Sequence, residues 1–141
     1  MEFYYDHMCF ACGNQNPIGL SLKFEVQGGK VKTHFTPQQV HEGYPGVMHG
    51  GLITTILDEV MARSVNMLGS HGVTARLEVR YREAVPIGQE ITFESTITNA
   101  RKTIIDLEAK AFLPSGKVAA EALARFMVMG KIEEGKKIHE E

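Results

Sequence analysis

Residues 51–67, GLITTILDEVMARSVNM, decide the fold. Ile53, Ile56, Leu57, Val60 and Met61 fall at i, i+3, i+4, i+7 and i+8, the spacing that lays one apolar stripe along a helix. A glycine-rich approach, GYPGVMHGG at 43–51, leads into the stripe, and Gly69 supplies its stop. No other stretch keeps this period over such a length. Behind it, Val73–Tyr81, Glu90–Ile97, Thr103–Phe112 and Lys117–Met129 alternate with the period of two that marks strands, with turns at Ala100-Arg101-Lys102 and Pro114-Ser115-Gly116. Ahead of it, Leu20–Val26 and Lys30–Phe35 read as a hairpin around Gln27-Gly28-Gly29, and Pro37 ends the pairing. One helix set in a long antiparallel meander buries its stripe only if the sheet curls around it. The expectation is therefore an α+β fold, a curved antiparallel sheet wrapped around one long central helix. A helix wrapped on one side suggests a dimer.

The 141 residues leave no room for a second domain, and 43% apolar residues suffice for one core and exclude a disordered chain. With 15 Lys and Arg against 17 Asp and Glu, the chain lacks the basic stripe of a duplex-wrapping protein, so no nucleic acid is expected. The first residues, MEFYYDH, lack the basic and apolar regions of a secretory signal, and no apolar run approaches the ~20 residues that cross a bilayer. These features point to a cytoplasmic protein without a membrane partner. Residues 1–19 read as a leader and 131–141 as a charged tail, solvated or frayed. Cys9 and Cys12 form a lone C-x-x-C, at most half of a zinc site, and read as two reduced thiols in a turn. His7, His34, His41, His71 and His139 show no paired ligand spacing, so no metal is expected.

The chemistry concentrates at His49-Gly50-Gly51 and Asp58. Glycine costs about 1 kcal/mol against alanine inside a helix, so two at a helix start call for a reason. There, the lack of Cβ atoms opens the unpaired backbone N–H groups and the positive end of the helix dipole to a ligand, as an oxyanion hole requires. Glu59 has Arg63 at i+4, the spacing of an exposed, weak, structural pair. Asp58 has no cation beside it on its own helix and so is left for solvent or for chemistry. Asp58 stands eight residues beyond Gly50, about 12 Å along a helix, whereas both groups must reach within roughly 3 Å of one reacting centre. Two helices packed antiparallel about a two-fold axis would bring the glycine end of one chain to the carboxylate of the other.

The segments GYPGVMHGGLITTILDEVMA (43–62) and VTARLEVRYREAVPIGQEI (73–91) resemble the hotdog-fold acyl-CoA thioesterases of the PaaI type. The opening CFACGNQNPIGLSLKF (9–24) is similar to a leader found in one branch of them. The resemblance implies dimers or dimers of dimers and hydrolysis of coenzyme A thioesters to free acid and coenzyme A. It implies that Gly50 or Gly51 polarises the thioester carbonyl, and that Asp58 from the partner chain attacks as nucleophile or activates water. Thr74 matches a hydroxyl position that helps hold the carboxylate or water, and His49 matches an orienting group. Many relatives carry an asparagine where this chain has Gly43, with Glu42 or His41 as substitutes at hand.

Coenzyme A brings phosphates, and alternation along the strand from Val73 puts Arg76, Arg80 and Arg82 on one face, with Thr74 and Glu78 beside them. Arg101 and Lys102 form a second basic group. Thioester hydrolysis needs an oxyanion stabiliser and a base or nucleophile but no cofactor. The alternative from another class is a non-catalytic module that binds acyl-CoA, for which Asp58 has no use. A hotdog dehydratase expects its histidine and carboxylate arranged for a β-hydroxyacyl chain, which fits this placement less well.

Overall fold

The computed structural model describes residues 2–4, 6–132 and 137–139, the two outer stretches by their backbone alone. Its centre is helix α1 (Gly50–Asn66), which begins and ends one residue before the expected 51–67. All five stripe residues are buried, and Val65 extends the stripe by one turn. Each such side chain withdrawn from water contributes about 1.5–3 kcal/mol.

Among the described residues, eight strands flank the helix in sequence: β1 (Glu2–Tyr4), β2 (Glu25–Gln27), β3 (Lys30–Phe35), β4 (Ser70–Tyr81), β5 (Ile91–Ala100), β6 (Ile104–Phe112), β7 (Val118–Lys131) and β8 (Lys137–His139). Strands β2 to β7 form one antiparallel sheet in the order β2-β3-β5-β6-β7-β4, while β1 pairs with β8. The sheet curves around α1 as the hydropathy pattern requires. Small residues permit the close fit: Leu107 lies opposite Ala124, Ala109 opposite Ala122 and Ala111 opposite Ala120, all buried beneath the helix. At its far side Ser95 Oγ donates to the Val60 carbonyl at 2.8 Å and meets the Ser64 hydroxyl, fastening helix to sheet.

The hairpin between β2 and β3 turns at Gly28 and Gly29, with φ of +60° and +77°. The first strand of that hairpin is shorter than expected. Leu20, Leu22 and Phe24 are buried, yet ladder pairing begins only at Glu25. Leu20 and Leu22 instead donate their N–H groups to the Phe10 and Ala11 carbonyls, and Ser21 between them adopts a left-handed φ of +52°. Of the charged stretch 131–141, Lys131 ends β7, Ile132 is buried, and Lys137–His139 pairs with β1. The remainder of that stretch lies outside the described residues.

Strand β4 forms one edge of the sheet, with no strand on its outer side among the described residues. Strict alternation along it fails at one point. Thr74 lies opposite Phe126 and Arg76 opposite Arg125, so Ala75 has no partner and forms a β-bulge. The bulge moves Thr74 to the helix-facing side, which it shares with Leu77, Val79 and Tyr81. Thr74 is therefore not on the face of Arg76, Glu78 and Arg80, contrary to the expectation from simple alternation.

Candidate functional site

Gly50, Thr54 and Asp58 lie four residues apart on α1 and face the inner side of β4. At one end of this shared face, Thr74 Oγ1 donates to Asp58 Oδ1 at 2.6 Å. The bulge at Ala75 creates this contact, since unbroken alternation would turn Thr74 away. At the other end, the Tyr81 hydroxyl donates to the Gly50 carbonyl at 2.9 Å and also meets the Thr54 hydroxyl. Tyr81 was not among the residues singled out from the sequence. Its place on the face of Leu77 and Val79 was readable, but nothing in the sequence pairs it with the helix start.

His49 is the N-cap of α1, with an extended backbone at φ −61° and ψ 129°. Its Nδ1 accepts the Gly51 N–H at 2.8 Å, so a neutral ring carries its proton on Nε2. The two glycines therefore differ. A Cβ on Gly51 would stand 3.0 Å from the His49 ring, and one on Gly50 would stand 3.3 Å from the Tyr81 ring. The Gly51 N–H is engaged by the cap, and the N–H groups of Leu52 and Ile53 donate to the His49 carbonyl. Among the described residues the Gly50 N–H meets no acceptor. Gly50 opens on a cleft of about 290 Å³ lined by Met48, Ile53, Tyr81, Arg82 and Val85.

The loop before the helix is held by its own bonds. The Gly43 N–H donates to the Val47 carbonyl, and a Cβ at 43 would come within 3.2 Å of the His49 Cα. His41 Nδ1 accepts the Gln38 N–H, and Glu42 Oε1 accepts the Gly46 N–H. Both side chains are thus engaged within the loop.

The basic residues divide. Arg82 lines the Gly50 cleft and donates through Nε to Glu121 at 3.1 Å. Arg76 and Arg80 line clefts of about 350 and 330 Å³ that include no helix-start residue. Arg101 lies 3.6 Å from Asp106 at the β5–β6 turn, and Lys102 follows it there. Asp106 also takes two hydrogen bonds from Arg125, which hold its carboxyl below the usual carboxylate range.

About 100° around α1 from Asp58, Glu59 has different neighbours. It is not the exposed partner of Arg63 that i+4 spacing suggests. The two side chains are 14% and 10% accessible, with Arg63 Nη2 at 3.1 Å from Glu59 Oε1 and the Arg63 guanidinium 6.0 Å from the Phe24 ring. The leader covers this side of the helix and brings Cys9 and Cys12 to Glu59. Burial pushes the Glu59 carboxyl up. The side-chain hydrogen bond from Cys12 holds the Cys9 thiol down to about 5, and the same contact pushes Cys12 up.

Comparison with known proteins accords with this architecture. Residues 45–120 match the family model described as the thioesterase superfamily. Acyl-coenzyme A thioesterase 13 of Homo sapiens is 28% identical over 99 residues, 66% of this chain and 69% of that protein. Among solved structures, the PaaI protein of E. coli, from the phenylacetic acid degradation operon, superposes with a TM-score of 0.75 at 15% identity, over 80% of this chain and 83% of that one. A hypothetical thioesterase of Streptococcus pneumoniae TIGR4, solved with coenzyme A, gives 0.75 at 21% identity, over 79% and 91%. That protein has also been solved with an aspartate and with a threonine replaced by alanine, at positions sixteen residues apart. The curved sheet around one helix is the hotdog fold of these structures. No helix among the described residues is long and apolar enough to cross a membrane.

Proposed function

This chain belongs to the thioesterase superfamily, and from that premise we infer that it hydrolyses a coenzyme A thioester to a free acid and coenzyme A. The observation that carries the reading is the Thr74–Asp58 hydrogen bond of 2.6 Å on the same helix face as the unengaged Gly50 N–H. The likeness to acyl-coenzyme A thioesterase 13 and to a neighbour solved with coenzyme A supports the substrate class. Asp58 and Thr74 are also sixteen residues apart, the spacing of the two positions altered in the pneumococcal protein.

In this reading the Gly50 N–H, backed by the helix dipole, receives the thioester oxygen, while Gly51 serves through the His49 cap. Asp58 of the partner chain faces the carbonyl carbon, oriented by that chain's own Thr74. Two routes share this geometry. Asp58 takes a proton from water as its oxygen adds to the carbon, or its own oxygen adds and water later cleaves the anhydride. In both, collapse of the tetrahedral intermediate breaks the C–S bond and expels the coenzyme A thiolate.

The site is composite because Gly50 and Asp58 are about 12 Å apart along one helix. The open edge of β4 supports the pairing, since two such edges joined antiparallel about a two-fold axis would set the two helices head to tail. The assembly is thus a homodimer or a dimer of dimers. Arg82, at the cleft, is best placed for a coenzyme A phosphate, with Arg101 and Lys102 as a second basic group and Arg76 and Arg80 on the far face.

Thiol release from a panel of acyl-CoAs of varied chain length and aromaticity tests the reading. The native chain should release coenzyme A from at least one, and a folded Asp58→Asn chain should not. Equal binding of the panel by both chains without release would favour the non-catalytic module.

A further inference from the structure

We propose that Cys9, Cys12 and Glu59 bind a thiophilic divalent cation, Zn²⁺ in the first instance, which fastens the leader to α1 on a side the thioester site does not use. The two sulfurs and a Glu59 carboxylate oxygen all lie within 4.8 Å of one another, and all three residues are partly buried. Ligand atoms on a tetrahedral zinc stand about 3.5–3.8 Å apart, so side-chain rotations of less than about an ångström would close the set.

The turn that carries the thiols is shaped for this. The Gly13 N–H donates to the Cys9 carbonyl at 2.8 Å, and the Cys12 N–H points at Cys9 Sγ from 3.4 Å. Backbone donors to sulfur are the outer contacts that orient metal-bound thiolates. The turn admits only glycine at 13, where a Cβ would stand 2.4 Å from the His7 carbonyl oxygen and 2.5 Å from the Cys9 nitrogen.

Glu59 supplies the independent observation. Its Oε1 is fully buried and, among the described residues, meets Arg63 Nη2 at 3.1 Å as an ion pair but has no hydrogen-bond partner. A buried carboxylate oxygen held by an ion pair without a hydrogen bond has capacity left for a second positive group. Two thiolates and a carboxylate against one guanidinium leave two negative charges, which one divalent ion cancels. Thiolate donors favour Zn²⁺ over Mg²⁺ or Ca²⁺, and three protein ligands leave the fourth position to water. The Glu–Arg spacing disguised this carboxylate as an ordinary surface pair in the sequence.

The test uses the full chain, reduced and stripped of metal, titrated with Zn²⁺ against a chelator and separately with Co²⁺. The expected result is one equivalent per chain, a thiolate-to-cobalt charge-transfer band with tetrahedral ligand-field absorption, and a higher Tm with Zn²⁺. Cys9→Ser and Cys12→Ser should abolish the charge-transfer spectrum. Glu59→Gln, which keeps both thiols, should weaken affinity by at least the roughly 10–100-fold that even outer contacts of a metal site cost. The proposal is overturned by absence of uptake, by uptake unchanged in both Cys9→Ser and Glu59→Gln, or by Cys9–Cys12 disulfide formation in air as fast with Zn²⁺ as without. None of these readings depends on thioester hydrolysis, so this site and the thioesterase reading fail separately.

Discussion

Asp58 and Glu59 are consecutive carboxylates on one helix, and their surroundings could hardly differ more. Asp58 faces the open edge strand, where the Thr74 hydroxyl donates to one of its oxygens. Glu59 faces the leader and lies buried among a guanidinium and two thiols. One helical step thus separates the acid we propose to react, facing the open edge strand, from an acid packed under the leader. What decides between them is which neighbour covers each face: a strand with an unused edge or a folded-back leader.

The two acids should respond differently to substitution. Asp58→Asn keeps shape and hydrogen-bonding capacity, so thiol release should fall by roughly 10²–10⁴-fold while the urea-unfolding midpoint stays put. A large loss of stability would mean that Asp58 belongs with Glu59 after all. Gly50→Pro removes the helix-start N–H that meets no acceptor among the described residues. Proline suits the first helical position, and the extended His49 backbone suits a residue before proline. Its rate should fall roughly 10²–10³-fold with the helix kept, whereas Gly50→Ala, which retains the N–H but approaches Tyr81, isolates the steric share.

On the other face, Arg63→Met strands a buried carboxylate and should cost about 3 kcal/mol of unfolding free energy, leaving the turnover of folded protein near native. A fall in kcat as large as that of Asp58→Asn would erase the division between the faces. The smallest effect is expected from Thr74→Val. Losing a hydrogen bond to a charged group should lower kcat about tenfold with KM little changed.

The same contrast marks how far the sequence could be read. Helix α1, the β2–β3 turn and the four long strands were legible because each rests on local chemistry: a 3.6-residue stripe, paired glycines, alternation. His49, Gly50 and Asp58 stood out by the same means. The orientation of Thr74 was not legible, since the bulge at Ala75 depends on how β4 registers with β7 rather than on any turn residue. Nor was the division of labour between the glycines, because it follows from where the His49 ring turns. The leader was the least legible part. Leu20, Leu22 and Phe24 are buried without joining the ladder, and the bonds of Leu20 and Leu22 to Phe10 and Ala11 set the cover over Glu59, a long-range arrangement that no periodicity announces.

Mixing folded Asp58→Asn chains with folded Gly50→Pro chains, each inactive alone, and following thiol release after subunit exchange tests most directly whether catalysis is shared between subunits. A composite site predicts that activity returns, with about one working site in each mixed dimer. If subunits exchange and the mixture stays as inactive as its parts, Asp58 and Gly50 do not meet across an interface.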